Sequence, residues 1–285
     1  MSCCPLTFVD ELVVEFELIN PTIRYFAGAA LTVPLLPVLY LQAKRLRTWV
    51  PVLPAADGPA GQHGDPASSP LRIVVLGEST MAGLGAATHA EAFAGTLARQ
   101  LADALVRRID WRVLAESGYT ARQVTAELVP QVANDAVDLF VVGLGGNDTF
   151  ELRSPARWRR DVLALINALR HSHGDVPVVF LSVPPVYAFP AFTRLMQFTL
   201  GGLVHILADE TSTVAASNDN VWFDERRISL DGWVTDYHPE ATVDDCFSDG
   251  VHPSQLTYRI WGEIASKYIV NNLGQRLRTV SSAGQ

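Results

Sequence analysis

The stretch LRIVVLGEST, residues 71–80, decides the fold, because an apolar run rich in β-branched residues ends abruptly in a glycine, an acid and a serine. Such a run is typical of a strand that is buried on both faces, as in a parallel sheet. Four further apolar runs are predicted to be strands: 111–117, 138–145, 176–183 and 220–225. Helical patterns occupy 89–108, 120–134, 157–172, roughly 190–216 and 254–273, with Gly274 expected to end the last helix. The alternation predicts an α/β fold with a central parallel sheet of about five strands.

The residues outside this alternation divide the chain further. Residues 51–70 hold five prolines and three glycines, a composition that predicts an extended linker. The α/β domain is expected over residues 71–278, and the polar tail at 279–285 is expected to be disordered. Residues 1–50 form an N-terminal apolar segment, which is either associated with a membrane or packed on the domain.

The N-terminal segment contains 19 residues without a charge, between Arg24 and Lys44. A membrane-spanning helix needs about 20 apolar residues, and two prolines interrupt this one. Three placements of residues 25–43 therefore stay open: spanning a membrane, lying in its interface, or packing on the domain. Basic residues follow the stretch and acidic residues precede it, so no cleavable signal peptide is expected. The expected location is the cytoplasm or the cytoplasmic face of a membrane.

Composition excludes some classes of partner. The formal net charge of −8 argues against nucleic acid, which is bound through basic patches. Three cysteines in 285 residues form neither a disulfide framework nor a zinc-type pairing. Hydrophobic residues make up 48% of the chain, as in a globular protein. Neutral esters, lipids and sugars remain open as ligands.

Polar residues follow the predicted strands at the points where each strand ends. Ser79 follows the first strand, Gly118 the second and Asn147 the third. Asp249 and His252 precede the last helix. Because ligands bind beyond the carboxyl ends of the strands in open parallel sheets, we expect these residues to share one cleft.

These residue types can supply the parts of an ester hydrolase. His252 can take the proton of the Ser79 hydroxyl near neutral pH, and Asp249 can hold the other ring N–H. The N–H groups of Ser79 and Gly118 and the amide of Asn147 can donate to an oxyanion. Each element alone is weak, and the order and placement of the set are the specific signal.

This ordered set resembles the SGNH/GDSL hydrolase family over roughly residues 71–272. The motifs that carry the resemblance are VVLGEST (74–80), ESG (116–118), GGND (145–148) and DGVHPS (249–254). The resemblance implies a flavodoxin-like three-layer α/β/α sandwich and no metal or organic cofactor. It also implies a triad of Ser79, Asp249 and His252, and an oxyanion hole of Ser79, Gly118 and Asn147. The family motif reads Gly-Asp-Ser, and Glu78 departs from it, which affects the positioning of the turn rather than the nucleophile.

The predicted function is cleavage of carboxylic esters through an acyl-enzyme intermediate, on a small-molecule or lipid ester. Large apolar side chains after the fourth strand are candidates for the substrate pocket: Tyr187, Phe189, Phe192 and Met196. Core packing explains the same residues equally simply. With the apolar N-terminus, they favour acyl-lipid, aryl-ester or thioester substrates.

Other interpretations remain open at this point. The same machinery could remove O-acetyl groups from carbohydrate, and the strand pattern alone would permit a flavodoxin-like binding module without catalysis. An inactive, membrane-tethered relative is a third. The acidic cluster from Asp236 to Cys246 matches no metal motif, so no metal is expected.

Overall fold

The computed structural model describes residues 20–279. The N-terminal residues 1–19 and the tail at 280–285, for which disorder was predicted, lie outside the described residues. The helices are α1 (Pro21–Thr32), α2 (Leu36–Trp49), α3 (Phe93–Leu105), α4 (Ala121–Gln123), α5 (Gly146–Phe150), α6 (Pro155–His173), α7 (Arg194–Ala216), α8 (Leu230–Tyr237) and α9 (Gln255–Thr279). The strands are β1 (Ala60–His63), β2 (Leu71–Gly77), β3 (Ile109–Ala115), β4 (Leu139–Gly143), β5 (Val178–Phe180) and β6 (Val221–Phe223).

The sheet confirms the predicted fold class. In the described part of the chain it has six strands in the order β1-β3-β2-β4-β5-β6. From β3 to β6 all neighbours are parallel, and this order is the flavodoxin-like one, with a topological switch point at β2. Such a switch point opens a crevice at the carboxyl end of β2, where Ser79 follows.

Helices cover both faces of the sheet, as a three-layer sandwich requires. Successive residues of β2 point to opposite sides: Ile73 belongs to a core shared with α3 and α9, and Val74 to a core shared with α6 and α7. Because both faces are buried, the strand reads as a continuous apolar run rather than an alternating one.

The sheet also has an antiparallel edge strand within the predicted linker. Strand β1 pairs with β3, with Gly61 opposite Trp111. A Cβ at Gly61 would approach the Trp111 ring to 2.5 Å, so glycine lets this strand lie close over the indole. Residues 51–70 are therefore not simply an extended linker, because part of them completes the sheet.

Two helix predictions also need correction. The last helix continues through Gly274 to Thr279, because Leu273 and Leu277 on either side of Gly274 are buried in the core shared with α3. Residues 120–134 form a short α4 followed by a π-helical turn and a 3₁₀ turn that starts at Val129. Pro130 lacks an N–H, which favours the end of regular α-helix there.

Candidate active site

Ser79 lies in the tight turn that follows β2, and its side chain is half-buried. The turn is held by hydrogen bonds from the Ala82 N–H to the Glu78 carbonyl (2.9 Å) and from the Leu84 N–H to the Ser79 carbonyl (3.3 Å). Among the described residues, the N–H groups of Ser79 and Gly118 donate to no protein acceptor. Both N–H groups can therefore donate hydrogen bonds to a negatively charged oxygen.

The Asp249–His252 pair has the geometry of an oriented general base. His252 Nδ1 lies 2.8 Å from Asp249 Oδ2, and the His252 N–H donates to Asp249 Oδ1 at 2.7 Å. The Asp249 side chain is fully buried and the His252 side chain is 17% exposed. Burial alone would raise the pKa of Asp249, but hydrogen bonds from His252 and from the Val251 N–H hold that pKa below its usual value. An ionised Asp249 fixes the ring and leaves Nε2 to accept a proton.

The loop that carries Ser79 packs directly on the loop that carries His252. Ser248 Oγ donates to the Gly85 carbonyl at 3.3 Å and to the Pro253 carbonyl at 2.9 Å. The Tyr258 hydroxyl, from α9, donates to the Leu84 carbonyl at 2.7 Å. The two loops thus meet at one edge of the sheet, although their residues are some 170 positions apart in the chain.

Glu78 is a site residue whose role sequence reasoning missed. Its carboxylate accepts the N–H of Gly146 (2.8 Å), the N–H of Asn147 (2.8 Å) and the side-chain amide of Asn147 (2.6 Å). Burial raises the pKa of Glu78 to about 7, against the lowering effect of these hydrogen bonds, and nearby Asp148 adds to the rise. The acid next to the serine therefore joins the β2 turn to the loop after β4.

The side-chain amide of Asn147, a predicted oxyanion donor, already donates to two protein acceptors. Nδ2 donates to Glu78 at 2.6 Å and to the Tyr119 carbonyl at 3.1 Å. A reacting oxyanion would have to take the longer of these two bonds. The Tyr119 carbonyl belongs to the loop that holds Gly118, so the amide bridges the two proposed donor loops.

Asp148 links the loop after β4 to the start of α4, which follows the Gly118 loop. Its carboxylate is fully buried and accepts the Ala121 N–H, at the start of α4, at 3.0 Å. Burial raises the pKa of Asp148 to about 6, although this hydrogen bond and Arg153 oppose the rise. Asp148, the one acid of GGND, was not among the predicted site residues, and its position next to Asn147 in that motif was the only sequence signal for it.

A broad apolar groove leads to the candidate site. It has a volume of about 1900 Å³, and its lining includes Leu84, Ser117 and His252 at one end and residues of α1, α2 and α7 along its length. Of the four predicted pocket residues, Tyr187, Phe192 and Met196 line it, whereas Phe189 packs in the cluster beneath them. Phe192 and Met196 are also buried, so both the pocket and the core interpretations apply to them.

The acidic cluster near His252 has structural partners. Asp245 accepts the N–H and the hydroxyl of Thr242, both at 2.8 Å, and Cys246 is buried. Within residues 20–279, no group of three His, Cys, Asp or Glu side chains is arranged to hold a metal ion.

Known proteins resemble this chain in sequence and in fold. Esterase TesA of Pseudomonas aeruginosa is 29% identical over 128 residues, which are 43% of this chain and 62% of TesA, so the match spans less than two thirds of that relative. The lipase Lip_vut3 from a goat rumen metagenome aligns with a TM-score of 0.51 and 18% identity, over 70% of this chain and 98% of its own.

A second solved structure is the family 3 carbohydrate esterase of Clostridium thermocellum, with a TM-score of 0.53 and 16% identity over 73% of this chain and 100% of its own. At such identities the two structures show a shared fold. The model of the GDSL-like lipase/acylhydrolase family matches residues 75–260, which include all five motif residues from Ser79 to His252. The chain therefore belongs to the GDSL-like lipase/acylhydrolase family of ester-cleaving hydrolases, as the order of its motifs predicts.

Proposed function

We propose that this enzyme cleaves carboxylic esters through an acyl-enzyme intermediate, with Ser79 as nucleophile and His252 as general base. The observation that carries the proposal is the 2.8 Å contact between His252 Nδ1 and buried Asp249 Oδ2, on a loop packed against the Ser79 turn. Such a contact directs the basic Nε2 away from Asp249 and keeps the ring in one tautomer.

The reaction would run in two balanced halves. Ser79 Oγ attacks the ester carbonyl carbon while His252 Nε2 takes the hydroxyl proton, and the carbonyl oxygen becomes an oxyanion. Collapse of this intermediate breaks the ester C–O bond, and the imidazolium returns its proton to the leaving alkoxide. Water then attacks the acyl-enzyme with the same histidine as base, which releases the carboxylic acid and free Ser79.

The oxyanion would be held by three donors from three loops. The unengaged N–H groups of Ser79 and Gly118 support this role, and Asn147 would contribute by exchanging its bond with the Tyr119 carbonyl for one with the oxyanion. Each such donor is typically worth about 10²–10³ in rate. Glu78 would position the Asn147 amide rather than touch substrate.

The groove favours an apolar acyl or aryl group, as an ester or a thioester, over an acetylated sugar. Its lining is mostly apolar, with Leu, Ala and Val as the most frequent side chains, and these offer a carbohydrate few hydrogen-bond partners. An acyl-lipid substrate also fits the helix at residues 21–49, which is long and apolar enough to cross a membrane by length and composition. We therefore propose membrane contact through residues 25–43, and the exposed Lys44, Arg45 and Arg47 favour the anionic cytoplasmic face.

The test is active-site labelling together with hydrolysis of p-nitrophenyl esters. Ser79→Ala should abolish fluorophosphonate labelling and ester cleavage, and His252→Ala should reduce both by at least about 10³-fold, with the circular dichroism spectrum unchanged. Ser117→Ala is the matched control, since Ser117 is exposed in the same groove and makes no hydrogen bond among the described residues. Retained cleavage in Ser79→Ala would refute the mechanism.

A further inference from the structure

The helices at residues 21–49 contact the catalytic domain through polar side chains near both of their ends. Near the start, Arg24 forms an ion pair with Asp209 and the Tyr25 hydroxyl donates to the Leu152 carbonyl at 3.0 Å. Near the end, the Thr193 hydroxyl donates to Gln42 at 2.8 Å. Because the order of the contacts reverses between the two segments, α1 and α2 run antiparallel to α7 and beside it.

This attachment is incompatible with a helix that crosses a bilayer. A spanning helix would carry along the elements that pack on it, and α1 packs on α6 and α7. The exposed arginines of α6 at positions 157, 159 and 160 would then enter hydrocarbon. The geometry instead suits a helix that lies in the plane of the interface.

The outer face of the same helices is apolar and uncovered by protein. The side chains of Ile23, Phe26, Leu41 and Trp49 are 61–74% exposed and do not line the groove. At the groove itself, Leu31, Tyr40, Phe198 and Val52 are also 68–99% exposed, so the apolar surface continues from the outer face into the groove lining. Exposed basic residues end the segment at Lys44, Arg45 and Arg47, a combination of apolar, aromatic and basic side chains that matches an anionic membrane surface.

The inner face of the helices walls the groove that ends at His252. Leu36, Leu39 and Leu46 line it from α2, and Met196 and Leu203 line it from α7. Its volume of about 1900 Å³ exceeds the roughly 300–1,000 Å³ of ordinary small-molecule sites. One helical segment thus presents one face to the exterior and its other face to the path toward the catalytic serine.

We propose that an anionic bilayer covers the outer face of residues 21–49, and that the acyl chain of a bilayer lipid ester enters the groove directly from it. The chain then lies between α1–α2 and α7 with its carbonyl at Ser79. This inference rests on the proposed ester hydrolysis and names its substrate class, long-chain acyl esters presented in a membrane. Residues 21–49 lie outside the matched family region, so the family match does not account for this wall.

Filling the groove tests the acyl path. A Cβ at Gly202 would meet nothing within 4 Å, although the residue lines the groove, so Gly202→Trp blocks the space without a backbone clash. The ratio of palmitoyl to butyryl ester kcat/KM should fall by about tenfold or more, as expected when apolar contacts are lost. Ala164→Trp, on an exposed position of α6 outside the groove, should keep the wild-type ratio.

Charging the outer face tests the membrane contact. Phe26 and Leu41 are 65% and 64% exposed and do not line the groove. The double variant Phe26→Glu, Leu41→Glu should bind phosphatidylglycerol-containing vesicles about tenfold more weakly or worse. Its cleavage of a palmitoyl ester in those vesicles should fall relative to the same ester in detergent. The control Val106→Glu changes an apolar residue that is 88% exposed at the opposite end of the sheet, and should bind as wild type does.

The outcomes separate this inference from the proposed function. Wild-type enzyme that cleaves butyryl esters but not vesicle-borne palmitoyl esters would overturn the inference and leave the esterase intact. An unchanged palmitoyl-to-butyryl ratio in Gly202→Trp, or membrane-bound enzyme whose intact mass lacks residues 21–49, would also overturn it. Absence of all Ser79-dependent cleavage would instead overturn the proposed function.

Discussion

At the scale of single residues, Glu78 combines burial with three N–H donors. Its side chain is almost fully buried, and the donors from Gly146 and Asn147 favour the carboxylate. Desolvation favours the neutral acid more strongly, and the pKa rises to about 7. The ionisation of Glu78 is therefore coupled both to stability and to the position of the Asn147 amide.

The free energy of unfolding of the protein should depend on pH because Glu78 is buried. A pKa raised from 4.5 to about 7 contributes stability that is fully present below pH 4.5 and is lost as pH rises through about 7. Relative to Glu78→Gln, which cannot titrate, the wild-type free energy of unfolding should decrease by up to about 3 kcal/mol over this range. Urea unfolding of both proteins at several pH values measures the difference, and parallel stability curves would contradict the assigned pKa.

The residues of the site differ in how far the sequence could predict them. The sequence predicts that Ser79, Gly118 and Asn147 share an edge, because the strand ends of a parallel sheet lie at the same edge, and it predicts Asp249 and His252 from the motif before the last helix. The engagement of Asn147 by Glu78 and Tyr119 could not be predicted. It depends on how far a glutamate reaches in place of the shorter aspartate, and the sequence carries no distances.

At the scale of elements, the Ser79 and His252 loops approach each other through Gly85. Its φ is +95°, and an added Cβ would lie 2.3 Å from the Pro253 carbonyl oxygen. Gly85→Ala should therefore push the His252 loop away and lower kcat for p-nitrophenyl butyrate by about 10²-fold, since a displacement of about 1 Å can have that effect. Steady-state kinetics with circular dichroism as a folding check measures this.

Gly58→Ala separates loop contact from backbone strain. Gly58 also has a positive φ, +68°, but an added Cβ there meets nothing within 4 Å. The strain alone should cost on the order of 1 kcal/mol of stability and leave kcat near the wild-type value. Equal kcat values for the two variants would show that the Gly85–Pro253 approach does not position the base.

Elements with strong periodicity were predicted well, and those decided by tertiary contact were not. The five parallel strands follow from buried apolar runs. Strand β1, with the sequence AGQH, has no apolar run and forms because Gly61 fits over Trp111. The continuation of α9 beyond Gly274 likewise depends on the burial of Leu273 and Leu277, which outweighs the low helix propensity of glycine.

At the scale of the whole molecule, the contacts of α1 and α2 with the catalytic domain decide whether these helices stay docked on it. The sequence left spanning, interfacial and packed placements open, because hydropathy records apolarity but not which face meets protein. The structure places α1 on α6 and α7 while most of its large apolar side chains stay exposed. The Arg24–Asp209 ion pair joins α1 to α7, with the Arg24 side chain 4% exposed and the Asp209 side chain 41% exposed.

Arg24→Met removes this ion pair and should weaken the docking of α1 on α7 without disturbing the sheet. Since Asp209 can be hydrated once Arg24 is removed, we expect docking to weaken by only about 1–2 kcal/mol. Local opening would then rise about tenfold, and chymotrypsin should cleave near Tyr40, Leu41 and Trp49 correspondingly faster, because proteolysis follows the open population. Lys44→Met, which removes an exposed cation from α2, should be cleaved at the wild-type rate. If Arg24→Met were equally resistant, the ion pair would not hold the helix, and docking would depend on apolar contacts such as those of Leu39 and Leu46.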